Sequence, residues 1–150
     1  MLAEKKLITL EEAIKISRLE AQPSRCWRKA KIGLTNGCFD ILHSGHCRLF
    51  ESSKLHCDIL FVGVNSDSII NKTKGPTRPF NKIDERLAIL SHNKDIDYVF
   101  SFDFEDAYEI VSRISPDVYF QGGEYKNKLP REESICEVLY LVMDEKSTTA

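Results

Sequence analysis

Two of the chain's four histidines, His43 and His46, stand three residues apart in "NGCFDILHSGH", residues 36–46, with Gly45 between them. Three kinds of chemistry use such a pair. Imidazoles ligate metal ions. They pack in cores. At the start of a helix they face an anion beside free main-chain N–H groups. A metal site would draw on His43, His46, Cys47, His56 and Cys57. Adjacent His-Cys pairs point in different directions on a helix, however. None of the usual zinc spacings is present either. No protein side chain is therefore assigned as a metal ligand, and no structural zinc is expected. Gly37 before the pair and Gly45 within it favour the anion reading. A donating imidazole gains strength as charge grows on a phosphoryl oxygen.

Other segments carry weaker signals. "NKTKGPTRP" sets Lys72, Lys74 and Arg78 on an aperiodic stretch. It is either a solvated basic loop or a loop that closes on polyphosphate. Arg86 opens the helical pattern "DERLAIL", where the plain reading is a surface ion pair with Asp84 or Glu85. In "QGGEY", Gly122 and Gly123 let main chain approach a flat ligand such as a base, or simply make a turn.

The elements that must position these groups can be read from periodicity. "TLEEAIKISRLEAQ" is an amphipathic helix with a Thr9–Glu12 capping box. "KIGLT", "CDILFVGVN", "DYVFSF", "DVYFQ" and "EVLYLVM" are apolar runs of the kind found in strands buried on both faces. "SGHCRLFESSKL", "SDSIINKT", "KIDERLAILSHN" and "EDAYEIVSRI" are helical between them, the third capped by Asn81. Residues 124–135 are weakly patterned, and a full helix is not expected there. Alternating strands and helices predict the α/β class, a parallel sheet with helices on both faces. Ligands of such sheets bind at the carboxyl ends of the strands. The candidate segments follow the predicted strands.

At 150 residues the chain is read as one domain, 1–150, with 1–30 as helix and lead-in and 31–149 as the core. A net charge of -2 gives no footprint for nucleic acid or membrane. No apolar run approaches the roughly 20 residues of a spanning helix, and no signal-peptide pattern opens the chain. A cytoplasmic location is the default expectation. Cys26, Cys38, Cys47, Cys57 and Cys136 are expected to be reduced and mostly buried.

Gly37, Phe39, Asp40, His43, Gly45 and His46 match G-x-F-D-x-x-H-x-G-H, the hallmark of the cytidylyltransferase-like nucleotidyltransferases, in full. The resemblance runs on through "GVNSD", "KGPTRP", "ER", "GGEY" and a final "STT", over about residues 31 to 149. Within the superfamily, "TNGCFDILHSGH", "VGVNSD" and "KGPTRP" look most like the adenylyltransferases that make ADP-heptose from heptose 1-phosphate. "CEVLYL…STT" is also similar to glycerol-3-phosphate cytidylyltransferase. The heptose enzymes usually carry Lys-Gly-Gly-Asp-Tyr after the fourth strand, where this chain has Gln121 and Glu124.

The resemblance implies a Rossmann-like domain with five parallel strands in the order 3-2-1-4-5. It implies transfer of a nucleotidyl group from ATP or CTP to a phosphorylated sugar or polyol, with Mg2+ and release of pyrophosphate. A nucleotide-binding module without catalysis is the alternative of another class. A homodimer is expected. In the implied roles His43, His46, Lys74 and Arg86 are catalytic. Asn36, Gly37, Cys38, Phe39, Gly45, His46, Gly122, Gly123, Ser147 and Thr148 hold the nucleotide. Asp40, Asn65, Asp67, Lys74, Arg78, Gln121 and Glu124 face the acceptor.

Overall fold

The computed structural model describes residues 2–22 and 29–142. Five strands form one sheet: β1 (Ile32–Gly37), β2 (Ile59–Asn65), β3 (Tyr98–Phe102), β4 (Val118–Gly122) and β5 (Glu137–Leu141). All neighbours are parallel and the order is β3-β2-β1-β4-β5, as expected. The connecting helices are α1 (Ala3–Lys6), α2 (Leu10–Glu20), α3 (Ser44–Leu55), α4 (Asp67–Lys74), α5 (Ile83–Ser91), α6 (Tyr108–Ile114) and α7 (Pro130–Glu133).

Side chains alternate across each strand, so each inner strand feeds two cores. On one face Leu34, Phe61, Phe100 and Tyr119 pack with Ala13 of α2 and with Ile110, Val111 and Ile114 of α6. On the other Leu60, Val62, Val99 and Phe120 pack with Phe50 of α3 and Leu90 of α5. Helices therefore cover both faces. The predicted capping box of α2 forms in both directions: Thr9 Oγ1 accepts from the Glu12 N–H at 3.1 Å, and Glu12 Oε1 from the Thr9 N–H at 3.2 Å.

Three aspartates just before strands align the sheet at its amino end. Asp58, Asp97 and Asp117 accept the N–H groups of Lys31, Leu60 and Ile32, at 2.7, 2.8 and 2.7 Å. At the opposite end the central strands part. The β1–β4 register runs through Gly33↔Val118 and Leu34↔Tyr119. Beyond it the Thr35 hydroxyl donates to the Phe120 carbonyl at 2.9 Å, and side chains take over from the ladder. The order reverses between β1 and β4, so this parting opens a crevice where a ligand is expected.

Some expectations are corrected. Asn81 does not cap α5. The N-cap is Lys82, without a side-chain bond, and the Asn81 amide instead donates to the Asp40 carbonyl at 2.7 Å. Residues 124–135, in contrast, form no full helix, as expected: they hold only part of a 3-10 turn, Gly123–Tyr125, and the single turn of α7. Cys47 is exposed, while Cys38, Cys57 and Cys136 are half-buried, and all four are free thiols. Cys26, Ser147 and Thr148 lie outside the described residues. Among the described residues no helix is long and apolar enough to cross a membrane.

Candidate active site

The turn from β1 into α3 is shaped by one aromatic ring. Phe39 adopts φ 48°, a left-handed conformation that most side chains avoid. Its ring folds inward against Phe50 and the edge of His46, with centroids 5.3 and 5.5 Å away. Gly37 lies under that ring. A Cβ there would come within 3.0 Å of Phe39 Cζ. A side chain at position 37 would thus crowd the Phe39 ring, which would have to give by a few tenths of an ångström.

The two histidines are locked by the main chain. His43 is the N-cap of α3, and its Nδ1 accepts the Gly45 N–H at 3.1 Å. The His43 N–H donates to Nδ1 of His46 at 3.2 Å. A nitrogen that accepts an N–H carries no proton of its own. Each neutral ring therefore bears its hydrogen on Nε2. Burial, then the charges of His43 and Lys74, pushes the pKa of His46 down to about 4. At neutral pH His46 is an uncharged donor.

Asp40 is an internal clamp. Its side chain is fully buried and accepts from Arg78 Nε at 3.0 Å and from the N–H groups of Phe80 and Asn81, both at 2.8 Å. Burial pushes its carboxyl up, but these three donors outweigh it and hold the pKa below the usual value. The Asn71 amide grips the same loop at Pro76 and Arg78, through carbonyls 3.2 and 3.3 Å away. The loop after α4 is therefore built in place, held at both ends. Asp40 organises it and is not among the residues lining the cleft.

Arg86 is likewise internal. It is fully buried, not the surface ion pair of the plain reading. Nε donates to the Asn81 carbonyl at 3.0 Å. Nη1 donates to the carbonyls of Cys38 and Asn65 at 2.8 and 2.7 Å, and Nη2 to Asp67 at 2.7 Å. One guanidinium thus ties the ends of β1 and β2 to the starts of α4 and α5. Asp67 is engaged by Arg86 and by the Ile83 N–H at 3.3 Å.

A cleft of about 350 Å³ opens over the switch point. Asn36, Gly37, Cys38 and Phe39 line one side, with His46 and Leu49 from α3. Asn65 and Lys74 close the end toward β2. Tyr119, Gln121, Gly122 and Glu124 form the β4 side, with Tyr125, Leu129 and Ala107 as an apolar wall. His43, Gly45, Arg78 and Gly123 do not line it. Among the described residues three buried side-chain atoms have no hydrogen-bond partner: His43 Nε2, Asn65 Oδ1 and Arg78 Nη2. They stand on the segments that follow β1, β2 and α4. Such orphans are rare in proteins and point to a ligand. No three His, Cys, Asp or Glu side chains among the described residues gather to hold a metal ion. Tyr119 and the apolar wall escaped the sequence reading, because an aromatic inside a strand reads as core.

The open parallel sheet, with a polar cleft at its switch point and imidazole donors at a helix start, defines an α/β fold of the nucleotide-binding class. The family model of the cytidylyltransferase-like proteins matches residues 34–145, and the chain belongs to that family. Membership places it among nucleotidyltransferases. It is 44% identical over 121 residues to the bifunctional protein HldE of Aliarcobacter butzleri (strain RM4018), covering 79% of this chain and 25% of that protein. It is 46% identical over 101 residues to HldE of Hyphomonas neptunium (strain ATCC 15444), covering 66% and 21%. The chain spans about a quarter of the length of the first of these curated relatives and less of the second. Among solved structures, the lipopolysaccharide core biosynthesis protein from Thermoplasma volcanium GSS1 superposes with a TM-score of 0.65 at 24% identity, over 77% of this chain and 99% of that one. A pantoate-beta-alanine ligase from Francisella tularensis gives 0.65 at 16%, over 93% and 67%. At these identities they speak for the fold alone.

Proposed function

We propose that this chain transfers the adenylyl group of ATP to D-glycero-D-manno-heptose 1-phosphate, giving ADP-heptose and pyrophosphate, with residues 31–149 as the catalytic core. The identity to HldE proteins supports the acceptor. The observation that carries the reaction type is the histidine pair: two rings whose Nδ1 atoms are held by main-chain N–H groups, leaving both Nε2 atoms as donors. A phosphate oxygen of the acceptor attacks the α-phosphorus of ATP. A new P–O bond forms, and the bond to the β-phosphate bridge breaks with its electron pair leaving on pyrophosphate. The attacking phosphate is already an anion, so no strong base is needed. Catalysis then rests on position and on stabilising charge as it develops. The imidazoles, Lys74 and the start of α3 supply that stabilisation.

A triphosphate brings Mg2+, which takes oxygen ligands and needs few from the protein when phosphates provide the rest. Asn65 Oδ1, buried without a partner, is a cleft oxygen that would hold it. Asp40 and Asp67 are spent on arginines. When bound, the ion neutralises charge on the polyphosphate. A cytoplasmic homodimer completes the proposal, and light scattering tests the dimer.

Pyrophosphate release from ATP or CTP, with heptose 1-phosphate or glycerol 3-phosphate, tests the reading. Turnover with ATP and heptose 1-phosphate is expected. Faster turnover with CTP and glycerol 3-phosphate would replace it, and release with no pair would refute it.

A further inference from the structure

The carboxyl ends of β1 and β4 are bridged by a triangle of side chains. Gln121 Nε2 donates to Asn36 Oδ1 at 2.9 Å and to the Tyr119 hydroxyl at 2.8 Å. The Tyr119 hydroxyl donates to the same Asn36 oxygen. Tyr119 is 2% exposed and Gln121 8%, so these bonds form out of bulk water. Burial, with the nearby Glu132 charge, pushes the Tyr119 hydroxyl far up, and it stays protonated.

Counting donors and acceptors shows what is left. The Tyr119 and Asn36 oxygens bond each other and subtend a narrow angle at Gln121 Nε2, so a single amide hydrogen is shared between them and the tyrosine hydrogen closes the triangle. The remaining groups are N–H donors, on the Asn36 amide and the second hydrogen of Gln121, and the Gln121 carbonyl, an acceptor. Both residues line the cleft. Turning one amide alone sets acceptor against acceptor or donor against donor. Turning both together restores every bond and again leaves N–H donors beside a carbonyl acceptor. In either arrangement the floor is uncharged and shows the ligand both donors and an acceptor.

We propose that Asn36 and Gln121 form a subsite for a vicinal diol, with one ligand hydroxyl accepting and its neighbour donating. A phosphate does not fit here. It has no hydrogen for the carbonyl at neutral pH, and the triangle contains no cation. The inference deepens the reading above and rests on it for its two candidate ligands, because the ribose of the nucleotide and the ring of the sugar phosphate both carry such a diol. It also changes the meaning of Gln121, which was expected on the acceptor side beside a phosphate.

The test measures binding by titration calorimetry, so that it stands even without turnover. Wild-type protein is titrated with ATP, 2′-deoxy-ATP and 3′-deoxy-ATP, and separately with heptose 1-phosphate and its analogues lacking one ring hydroxyl. Removing a hydroxyl from one of the two ligands is expected to weaken binding at least about tenfold, since a polar group of the site is then left unpaired. In Gln121→Met that penalty should fall below about threefold. A penalty confined to the nucleotide assigns the diol to ribose, and one confined to the sugar assigns it to the acceptor. No penalty in wild type, or the same penalty in Gln121→Met, overturns the subsite. So does a Gln121→Lys variant that binds either ligand more tightly, because that would mark a phosphate. Failure of the functional reading looks different: no pyrophosphate is released, whatever the diol penalty.

Discussion

The main-chain N–H of His43 donates to Nδ1 of His46, and the two imidazole rings lie 3.9 Å apart between centroids, inclined by 33°. One backbone frame therefore sets both rings in the same tautomer. A proton added to His46 would have to displace that main-chain bond and would sit beside the other ring. This favours a neutral donor at His46.

The pair has a consequence for stability against pH. An unfolded histidine takes up a proton near pH 6.5, whereas folded His46 does so only near pH 4. Between those values the unfolded chain holds more protons on this group, so acid favours unfolding. The contribution is complete above about pH 6.5 and is lost as pH falls toward 4, on the order of 3 kcal/mol in all. Urea denaturation at pH 7.5 and 4.5 should show a smaller loss in His46→Asn than in wild type, by most of that amount. Equal losses would remove His46 as the cause.

His43 has two jobs that substitution can separate. It caps α3 through Nδ1, and it offers Nε2 as a donor. Asparagine is a strong N-cap, so His43→Asn should keep the melting temperature near that of wild type. Loss of a charge-stabilising donor lowers turnover by roughly 10²–10³. Nucleotide affinity should change far less. Turnover at the wild-type level in a folded His43→Asn would refute the donor role.

Arg86 should act through stability. Removing it leaves Asp67 and three carbonyls without their donor. Each buried group left unsatisfied costs about 1–3 kcal/mol, while Asp67, partly exposed and still bonded by the Ile83 N–H, adds less. Arg86→Lys should recover little, since an ammonium cannot reproduce the guanidinium fork. Chemical denaturation of Arg86→Met and Arg86→Lys checks this. A stable variant with selectively weakened ATP binding would instead return Arg86 to the phosphates.

Lys74 gives the opposite pattern. It is exposed at the end of α4, lines the cleft and lies near enough to His46 to lower its pKa. Lys74→Ala should change stability by less than about 0.5 kcal/mol. It should weaken ATP binding about tenfold or more, the scale of one hydrogen bond to a charged group. Calorimetry of ATP binding beside a thermal melt separates the two, and unchanged affinity would place Lys74 outside the site.

Periodicity alone carried the strands, the helices and the α/β class, because strands buried on both faces must be apolar throughout and their connections must be amphipathic. "NGCFDILHSGH" located the histidine pair, since glycine spacing at a strand-to-helix turn is a local property of the chain. The strand order came with the resemblance, and the sheet shows the same order. The duties of the polar residues were decided elsewhere. Arg86 looks like a surface charge in the sequence, yet 0% exposure makes it an internal fastener, and Asp40, 2% exposed, fastens the loop after α4. Asn36 and Gln121 lie 85 positions apart and meet only because β1 and β4 are neighbours at the switch point. Sequence patterns record which residues are apolar and how often. Whether a polar group spends its hydrogen bonds on the protein or keeps them for a ligand depends on long-range partners, and only the folded chain brings those together.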